Sequence, residues 1–239
     1  ERFVVVAPFA SVREPIAVVS KTRTKANRFG VTVPYVDDFD EELTWQTFLL
    51  VCQSLGCDMS RLSVVGYSMG GQAAWDLMCR HGSNLAAGVP FAACCCWKGD
   101  SWKLQDVVLN LSRVTIRSYC GKADTTYSWR DFSWIAERRG RAPYPWQRNQ
   151  DHADGVSTEV FEWDWRLQLC LVNGTASCHC CWDVVFHNEE SFLLFTWLEQ
   201  IHCETPIQVT LDKHSALQFW GDSLPRQNTE SVHVCFEKN

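Results

Sequence analysis

The sequence predicts an α/β domain in which a mostly parallel sheet is flanked by helices. Two observations lead to this prediction. Short apolar runs rich in β-branched residues, typical of strands buried on both faces, recur along the chain. Segments with helical periodicity separate these runs, and strands that alternate with helices pair into parallel sheets.

The first half of the chain contains the clearest elements. Residues 3–7 are a β-branched run that ends at a proline, which predicts a buried strand. A Lys-, Arg- and Thr-rich stretch near 20–30 is predicted to be a loop, and 44–55 has the apolar spacing of an amphipathic helix. A strand at 61–65 is followed by a glycine-rich turn and a helix at 72–80, for which His81 and Gly82 provide a stop signal.

The second half continues the alternation. It is predicted to contain strands at 85–93, 114–119 and 166–172 and helices at 128–138 and 189–200. Residues 140–157 hold two prolines, several charges and Gly155, so they are predicted to be irregular. The last 35 residues are less regular, with candidate strands at 207–211 and 231–236.

The composition limits the class of protein. With 239 residues, 46% of them apolar, the chain is long enough for one domain with a sizeable core. A net charge of −6 provides no basic surface for nucleic acid, and no segment is long and apolar enough for a membrane span. We therefore expect a small-molecule partner, no nucleic acid and no transmembrane segment.

Cysteine usage favours a reducing compartment. The 13 cysteines are odd in number and make up about 5% of the chain, below the roughly 8–10% of a disulfide scaffold. Adjacent cysteines at 94–96 and 180–181 have the character of small buried apolar residues. The two Asn-x-Ser/Thr sequons, at Asn110 and Asn173, matter only in a secreted chain. The compartment therefore stays open at this point, with the cysteines favouring the cytoplasm.

The segment Gly66-Tyr67-Ser68-Met69-Gly70 matches the Gly-x-Ser-x-Gly motif of a nucleophile elbow. It lies between a predicted strand and a predicted helix, which is the context the motif requires. We expect Gly66 and Gly70 to be needed because the turn is tight, and the adjacent Gly71 to allow close packing of the helix on the strand. The helix that follows points its N-terminal N–H groups at the site where an oxyanion would form.

A serine nucleophile needs a histidine base and an acid that orients it, and on this architecture they follow in the order Ser, Asp/Glu, His. Asp124 is the leading acid because it follows the strand at 114–119 by a short turn; the alternative is that its side chain only caps that turn. Three other acids are held in reserve: Asp131, Asp151 and Asp154.

Six histidines lie downstream of Asp124, four of them in plausible places. His179 is favoured as the base because it lies on a short loop between a predicted strand and a predicted helix. The alternatives are His152, His187 and His202. A histidine among cysteines can equally be a packed core residue.

These motifs resemble those of the α/β-hydrolase superfamily, in particular the phospholipase/carboxylesterase and dienelactone-hydrolase-like esterases and predicted peptidases. The similar residues are Asp58 and Arg61 before the elbow strand, the elbow with Trp75, the phrase Tyr119-Cys-Gly-Lys-Ala-Asp124, and His179-Cys-Cys-Trp182. The resemblance covers roughly residues 2–200. It implies an α/β-hydrolase fold, the catalytic residues Ser68, Asp124 and His179, and the N–H of Met69, the residue after the nucleophile, as the first oxyanion donor.

The chain also departs from this family. Cys120 stands where the family usually has a histidine, and the His-Gly turn that supplies a second oxyanion N–H is expected before residue 1. We therefore expect an N-terminally incomplete hydrolase domain at 1–204, lacking the N-terminal strands, and an extension of unknown role at 205–239. The alternative is that one of the candidate tail strands, at 207–211 or 231–236, fills the place of the missing strand. Loss of one oxyanion donor costs on the order of 3–4 kcal/mol of transition-state stabilisation, so weak activity is expected.

Two classes of function follow. The first is a carboxylesterase-like serine hydrolase that cleaves ester or small acyl substrates without a cofactor, with Tyr67 and Trp182 as candidate substrate contacts. The second is a catalytically silent hydrolase-fold protein that acts as a binding module or has no activity. A zinc site at Cys178-His179-Cys180-Cys181 is disfavoured because the sequence offers no second ligand pair, so no metal is expected.

Overall fold

In a computed structural model of the chain, the described residues are 3–6, 23–26, 32–35, 41–93, 104–127, 132–139, 145–151, 157–173, 178–186 and 189–204. The chain divides into two compact units, one formed by 1–57 with 209–239 and the other by 58–208. All the candidate site residues belong to the second unit. The domain boundary at 204/205 stays a prediction, and the candidate strands at 207–211 and 231–236 lie outside the described residues.

The first unit contains a two-stranded antiparallel sheet and one helix. The strands are β1 (Arg23–Ala26) and β2 (Thr32–Tyr35), and the helix is α1 (Glu41–Ser54). The helix agrees with the prediction at 44–55, and it is followed by Gly56, whose φ of 67° is left-handed. Glycine adopts this conformation at little cost, which explains why the helix ends there.

One strand prediction and one loop prediction in this unit are wrong. Residues 3–6 have no regular secondary structure, although a strand was predicted at 3–7, and β1 lies inside the stretch predicted to be a loop. Strand propensity is a weak local preference. A strand forms where a neighbouring strand exchanges hydrogen bonds with it, and β2 supplies this partner to β1.

The second unit is built on a mixed sheet of six strands. Its strands are β3 (Ser63–Tyr67), β4 (Ala87–Phe91), β5 (Thr115–Gly121), β6 (Trp146–Asp151), β7 (Ser157–Asp164) and β8 (Leu167–Asn173). Their spatial order is β3-β4-β5-β8-β7-β6. The first four in this order run parallel, and β7 and β6 add an antiparallel hairpin. The predicted mostly parallel sheet is therefore confirmed.

Helices connect and flank the strands. They are α2 (Met69–His81), α3 (Leu104–Arg113), α4 (Phe132–Arg138), α5 (Trp182–Phe186) and α6 (Glu189–Gln200). Parallel neighbours need a crossover connection, which α2 provides between β3 and β4 and α3 between β4 and β5. The predicted helices at 72–80 and 189–200 are confirmed; that at 128–138 is confirmed over 132–138, its described part. The helices α3 and α5 were not predicted.

The core of the second unit lies around β4, which is buried along its whole length. Phe91 of β4 stacks on Tyr119 of β5, with ring centroids 4.9 Å apart and planes 10° from parallel. Trp75 of α2 is 1% exposed, and its indole N–H donates to the Ala93 carbonyl, two residues after β4, at 3.4 Å. This packing holds α2 against the strand that follows it.

The prediction of an irregular segment at 140–157 is wrong over part of its length. Residues 146–151 form β6, which pairs with β7 from Trp146 opposite Glu162 to Asp151 opposite Ser157. The sequence of β6 is polar and lacks alternating apolar residues, and Trp146 is 63% exposed. Among the described strands β6 lies at the sheet edge, so its pairing with β7, rather than burial, makes it a strand.

The two sequon asparagines take part in packing. The Asn110 amide donates to the carbonyls of Cys79 and Arg80 at 2.9 and 2.7 Å and accepts from the Ser83 N–H at 3.3 Å. It therefore satisfies carbonyls at the C-terminal end of α2, which have no partners within the helix. The Asn173 amide donates to Glu159 at 2.9 Å. Both amide nitrogens are thus used in hydrogen bonds within the fold.

Candidate active site

Three of the parallel strands lead into the candidate site. β3 ends at Tyr67, directly before Ser68; β5 ends three residues before Asp124; and β8 precedes the turn that carries His179. The carboxyl ends of parallel strands share one edge of a sheet, where the connecting loops converge. The topology therefore brings together three side chains that are up to 111 positions apart.

Ser68 occupies a strained turn between β3 and α2. Its φ and ψ are 54° and −115°, a conformation that residues other than glycine rarely adopt and that costs of the order of 1–3 kcal/mol. Two hydrogen bonds hold the turn: the Ser68 N–H donates to the Phe91 carbonyl, and its carbonyl accepts from the Gln72 N–H, both at 3.0 Å. The backbone thus has the strand–turn–helix form that the motif predicts.

The three glycines of the elbow differ in what they allow. A Cβ on Gly66 would collide with the main chain of Gly70, and one on Gly71 would lie 2.6 Å from the Ala93 Cβ and 2.7 Å from the Phe91 carbonyl oxygen. A Cβ on Gly70 would meet nothing within 4 Å. The steric reason predicted for a glycine is therefore present at Gly66 and at Gly71, whereas at Gly70 it is wrong.

This difference leads to a stability prediction. Gly66→Ala is expected to lower the free energy of unfolding by about 2 kcal/mol or more, because its methyl group overlaps backbone that cannot move without disturbing α2. Gly70→Ala is the matched control and is expected to change it by at most about 1 kcal/mol. Urea denaturation of the two variants measures both values. Equal losses would contradict the steric account of the elbow.

The side chain of Asp124 is fully buried, and both of its oxygens have hydrogen-bond partners. Its Oδ1 accepts the N–H groups of Thr126 at 2.7 Å and Tyr127 at 3.2 Å, and its Oδ2 lies 2.9 Å from His179 Nδ1. The sequence offered turn capping and orientation of the base as alternatives for Asp124. Oδ1 makes the two hydrogen bonds that cap the turn, and Oδ2 faces the histidine, so the Asp124 side chain does both.

His179 connects the other two side chains. Its Nδ1 lies 2.9 Å from Asp124 Oδ2, and its Nε2 lies 2.9 Å from Ser68 Oγ. An ionised carboxylate only accepts hydrogen bonds, so Nδ1 carries the proton and donates. Nε2 of the neutral ring then accepts from the serine hydroxyl. The structure therefore brings Ser68, His179 and Asp124 into one hydrogen-bonded chain.

Aromatic rings surround the imidazole. The Tyr67 ring centroid is 5.4 Å from the rings of both His179 and Trp182, and the Tyr127 ring lies 5.6 Å from His179 with the planes 27° apart. Partial burial, assisted by the Cys180 thiol, raises the pKa of Tyr67 above its ordinary value. Sequence reasoning missed Tyr127. Its one signal was its position three residues after an aspartate that caps a turn.

The two reserve residues that the structure describes, Asp151 and His202, do not contact Ser68, His179 or Asp124 in the hydrogen-bonded chain. Asp151 ends β6, two strands away from β8, and His202 Nδ1 lies 3.4 Å from Ser60 Oγ at a different location. The other reserve residues lie outside the described residues: Asp131, Asp154, His152 and His187. Among the described alternatives, only Asp124 and His179 contact each other and Ser68 in a chain.

The cysteines around the site are of two kinds. Cys120 and Cys181 are buried, and burial raises the pKa of Cys120 to about 12 and that of Cys181 further, so both are neutral thiols at pH 7. Cys178 and Cys180 are exposed beside His179. Within the described part of the chain no disulfide forms, and no group of three or more His, Cys, Asp or Glu side chains could hold a metal ion.

Met69 begins α2, so its N–H belongs to the first turn of a helix, where the N–H groups have no intrahelical acceptor. Its side chain is 72% exposed beside Ser68. The only His-Gly pair of the sequence, His81-Gly82, lies at the opposite end of the same helix, so its N–H groups cannot lie beside that of Met69.

None of the helices in the described ranges is long and apolar enough to cross a bilayer.

A largely parallel sheet flanked by helices, with a positive-φ serine on the turn between a strand and a helix, is the arrangement of the α/β-hydrolase fold. The predicted fold class is therefore confirmed.

The solved structures that are similar to the chain include two esterases. One is an acetyl xylan esterase from Aspergillus awamori, with 14% sequence identity, a TM-score of 0.49 and 66% of each chain covered. The other is a thermostable esterase, with 15% identity, a TM-score of 0.47 and coverage of 71% of this chain and 38% of that one. No protein-family model and no curated protein matches the sequence.

Proposed function

We propose that the protein is a serine hydrolase that cleaves ester or small acyl substrates through an acyl-enzyme intermediate. One observation carries the proposal: the serine hydroxyl, the imidazole and the buried carboxylate form a continuous chain of 2.9 Å hydrogen bonds on a strained elbow. Strain of this kind persists only where the surrounding fold enforces it, and it is concentrated at functional sites.

The proposed chemistry follows from the proton positions. Ser68 Oγ attacks the substrate carbonyl carbon while His179 Nε2 accepts the hydroxyl proton. The ring then carries a positive charge, which the Asp124 carboxylate stabilises through Nδ1–H. The imidazolium gives this proton to the alcohol oxygen as its bond to the carbonyl carbon breaks, which leaves the acyl group on Ser68. His179 then takes a proton from water, which attacks the acyl carbon, and returns it to Ser68 Oγ as the acyl–Oγ bond breaks and the acid leaves.

The negative charge that develops on the carbonyl oxygen is proposed to lie at the N-terminus of α2. The Met69 N–H is the donor there, and the partial positive charge of the helix end adds to it. One donor of this type is typically worth a factor of about 10²–10³ in kcat. Tyr67, half-buried against His179, and Trp182, half-buried against Tyr67, are proposed to form part of the wall that a substrate contacts.

A fluorophosphonate probe tests this proposal directly, because it forms a covalent bond only with an activated serine. We expect one probe per chain, attached at Ser68, and no labelling of Ser68→Ala. The matched control is Ser112→Ala, because the Ser112 hydroxyl bonds the Leu109 carbonyl on α3 away from the site; it is expected to be labelled like the wild type. Failure of the wild-type protein to react would favour the silent hydrolase-fold alternative.

A further inference from the structure

Tyr127 contacts both Asp124 and His179, the two side chains that form a hydrogen-bonded chain with Ser68. Its main-chain N–H donates to Asp124 Oδ1 at 3.2 Å, and its ring lies against the His179 imidazole with centroids 5.6 Å apart. The two planes are 27° apart, whereas Tyr67 meets the same imidazole at 41°. Tyr127 is therefore the ring closer to parallel with the imidazole, and it is tied to the turn that carries the acid.

The hydrogen bonds of His179 leave one motion of the ring weakly restrained. The bonds at Nδ1 and Nε2, each 2.9 Å long, fix the positions of two atoms of the ring. Tilting of the ring about the line through these atoms changes neither distance and alters only the angles of the two hydrogen bonds, to which their strength is less sensitive above about 150°. An aromatic ring stacked on the imidazole opposes this tilt, because tilting would open a gap or create an overlap between the two faces.

The stacked ring also favours the charged form of the imidazole. When His179 takes the serine proton it becomes a cation, and the negative face of an aromatic ring attracts a cation placed over it. The His179 side chain is only 29% exposed, so solvent screens this attraction incompletely. The contact with Tyr127 is thus stronger after proton transfer than before it, and such an interaction raises kcat rather than binding.

We infer that Tyr127 is a positioning residue for His179, whose ring holds the imidazole at the tilt that proton transfer requires and stabilises its cation. The inference rests on the proposed function, in which His179 is the general base. It concerns the aromatic ring of Tyr127, since the N–H bond to Asp124 is independent of the side chain.

Three variants test it by p-nitrophenyl acetate hydrolysis. Tyr127→Leu is expected to lower kcat about tenfold with KM within about twofold of wild type, because a cation–aromatic contact made in the transition state is lost. Tyr127→Phe keeps the ring and is expected to retain most of the rate. Thr125→Ala, an exposed change in the same turn, is the control and is expected to match the wild type. Thermal unfolding confirms that each variant is folded.

A spectroscopic measurement separates this inference from the proposed function. The proton shared by His179 Nδ1 and Asp124 gives a downfield NMR resonance, assigned by its absence in His179→Ala. We expect it in the wild type, Tyr127→Phe and Thr125→Ala, and expect it to be broadened or lost in Tyr127→Leu. This readout does not need an active enzyme, whereas labelling of Ser68 tests the function alone.

Several results would overturn the inference. An unchanged resonance and kcat in Tyr127→Leu would show that the ring does not position the base. Equal losses in the Phe and Leu variants would assign the effect to the hydroxyl, and a rise in KM alone would place Tyr127 against the substrate. A wild-type protein without the resonance would also contradict it, because there would be no fixed acid–base bond to support.

Discussion

Replacing His179 with alanine is expected to lower kcat for p-nitrophenyl acetate by at least about 10⁴-fold. The hydroxyl of Ser68 would then lose the acceptor that lies 2.9 Å away and that takes its proton in the proposed mechanism. Active-site titration and steady-state kinetics on the purified variant measure the loss. Because the side chain is partly exposed, the variant is expected to remain folded, which circular dichroism checks.

Two histidine variants serve as comparisons. His202→Ala removes an exposed imidazole near Ser60 and is expected to keep the wild-type rate. His187→Ala, the alternative that the sequence left open, is also expected to remain active. Loss of activity in His187→Ala with retention in His179→Ala would transfer the role of the base to His187.

Asp124→Asn is expected to reduce kcat roughly 10³–10⁴-fold while leaving stability nearly unchanged. The reason lies in the two oxygens of Asp124. The amide oxygen must occupy the Oδ1 position, because two main-chain N–H groups donate to it. The amide N–H₂ then faces His179 Nδ1 and forces that nitrogen to accept, so Nε2 carries the proton and cannot take one from Ser68. Loss of the correct tautomer has an effect of this size in serine hydrolases.

Steady-state kinetics and urea denaturation of the same protein separate the two effects. The matched control is Asp183→Asn, because Asp183 is an exposed acid at the start of α5; this variant is expected to behave as the wild type. Asp124→Ala, in contrast, also loses both turn bonds and is expected to be less stable by about 1–3 kcal/mol. Full activity of Asp124→Asn would mean that the carboxylate does not set the proton position of His179.

The elbow could be predicted from the sequence because its constraints are local. The tight approach of Gly66 to Gly70 and the strand–turn–helix form depend on residues within a few positions of Ser68. Asp124 was also predictable, because an acid shortly after a buried strand of a parallel sheet reaches the same sheet edge. His179 was one of four downstream candidates, and the choice among them drew on a family resemblance as well as on its loop position.

Other features could not be predicted because they depend on contacts between distant segments. β6 is polar and becomes a strand only through its pairing with β7. Residues 3–6 have the composition of a buried strand and yet form none. The ring of Tyr127 is separated by 52 positions from the histidine on which it stacks, and no pattern in either segment indicates the contact.

The sequence by itself determined the fold class, the strained serine and the order of the three candidate side chains, since periodicity and steric demands act over a few residues. The tertiary structure decided which histidine reaches Ser68, how the two oxygens of Asp124 are divided and which ring lies on the imidazole. These outcomes depend on where β3, β5 and β8 end relative to one another, and only the packed sheet sets those distances.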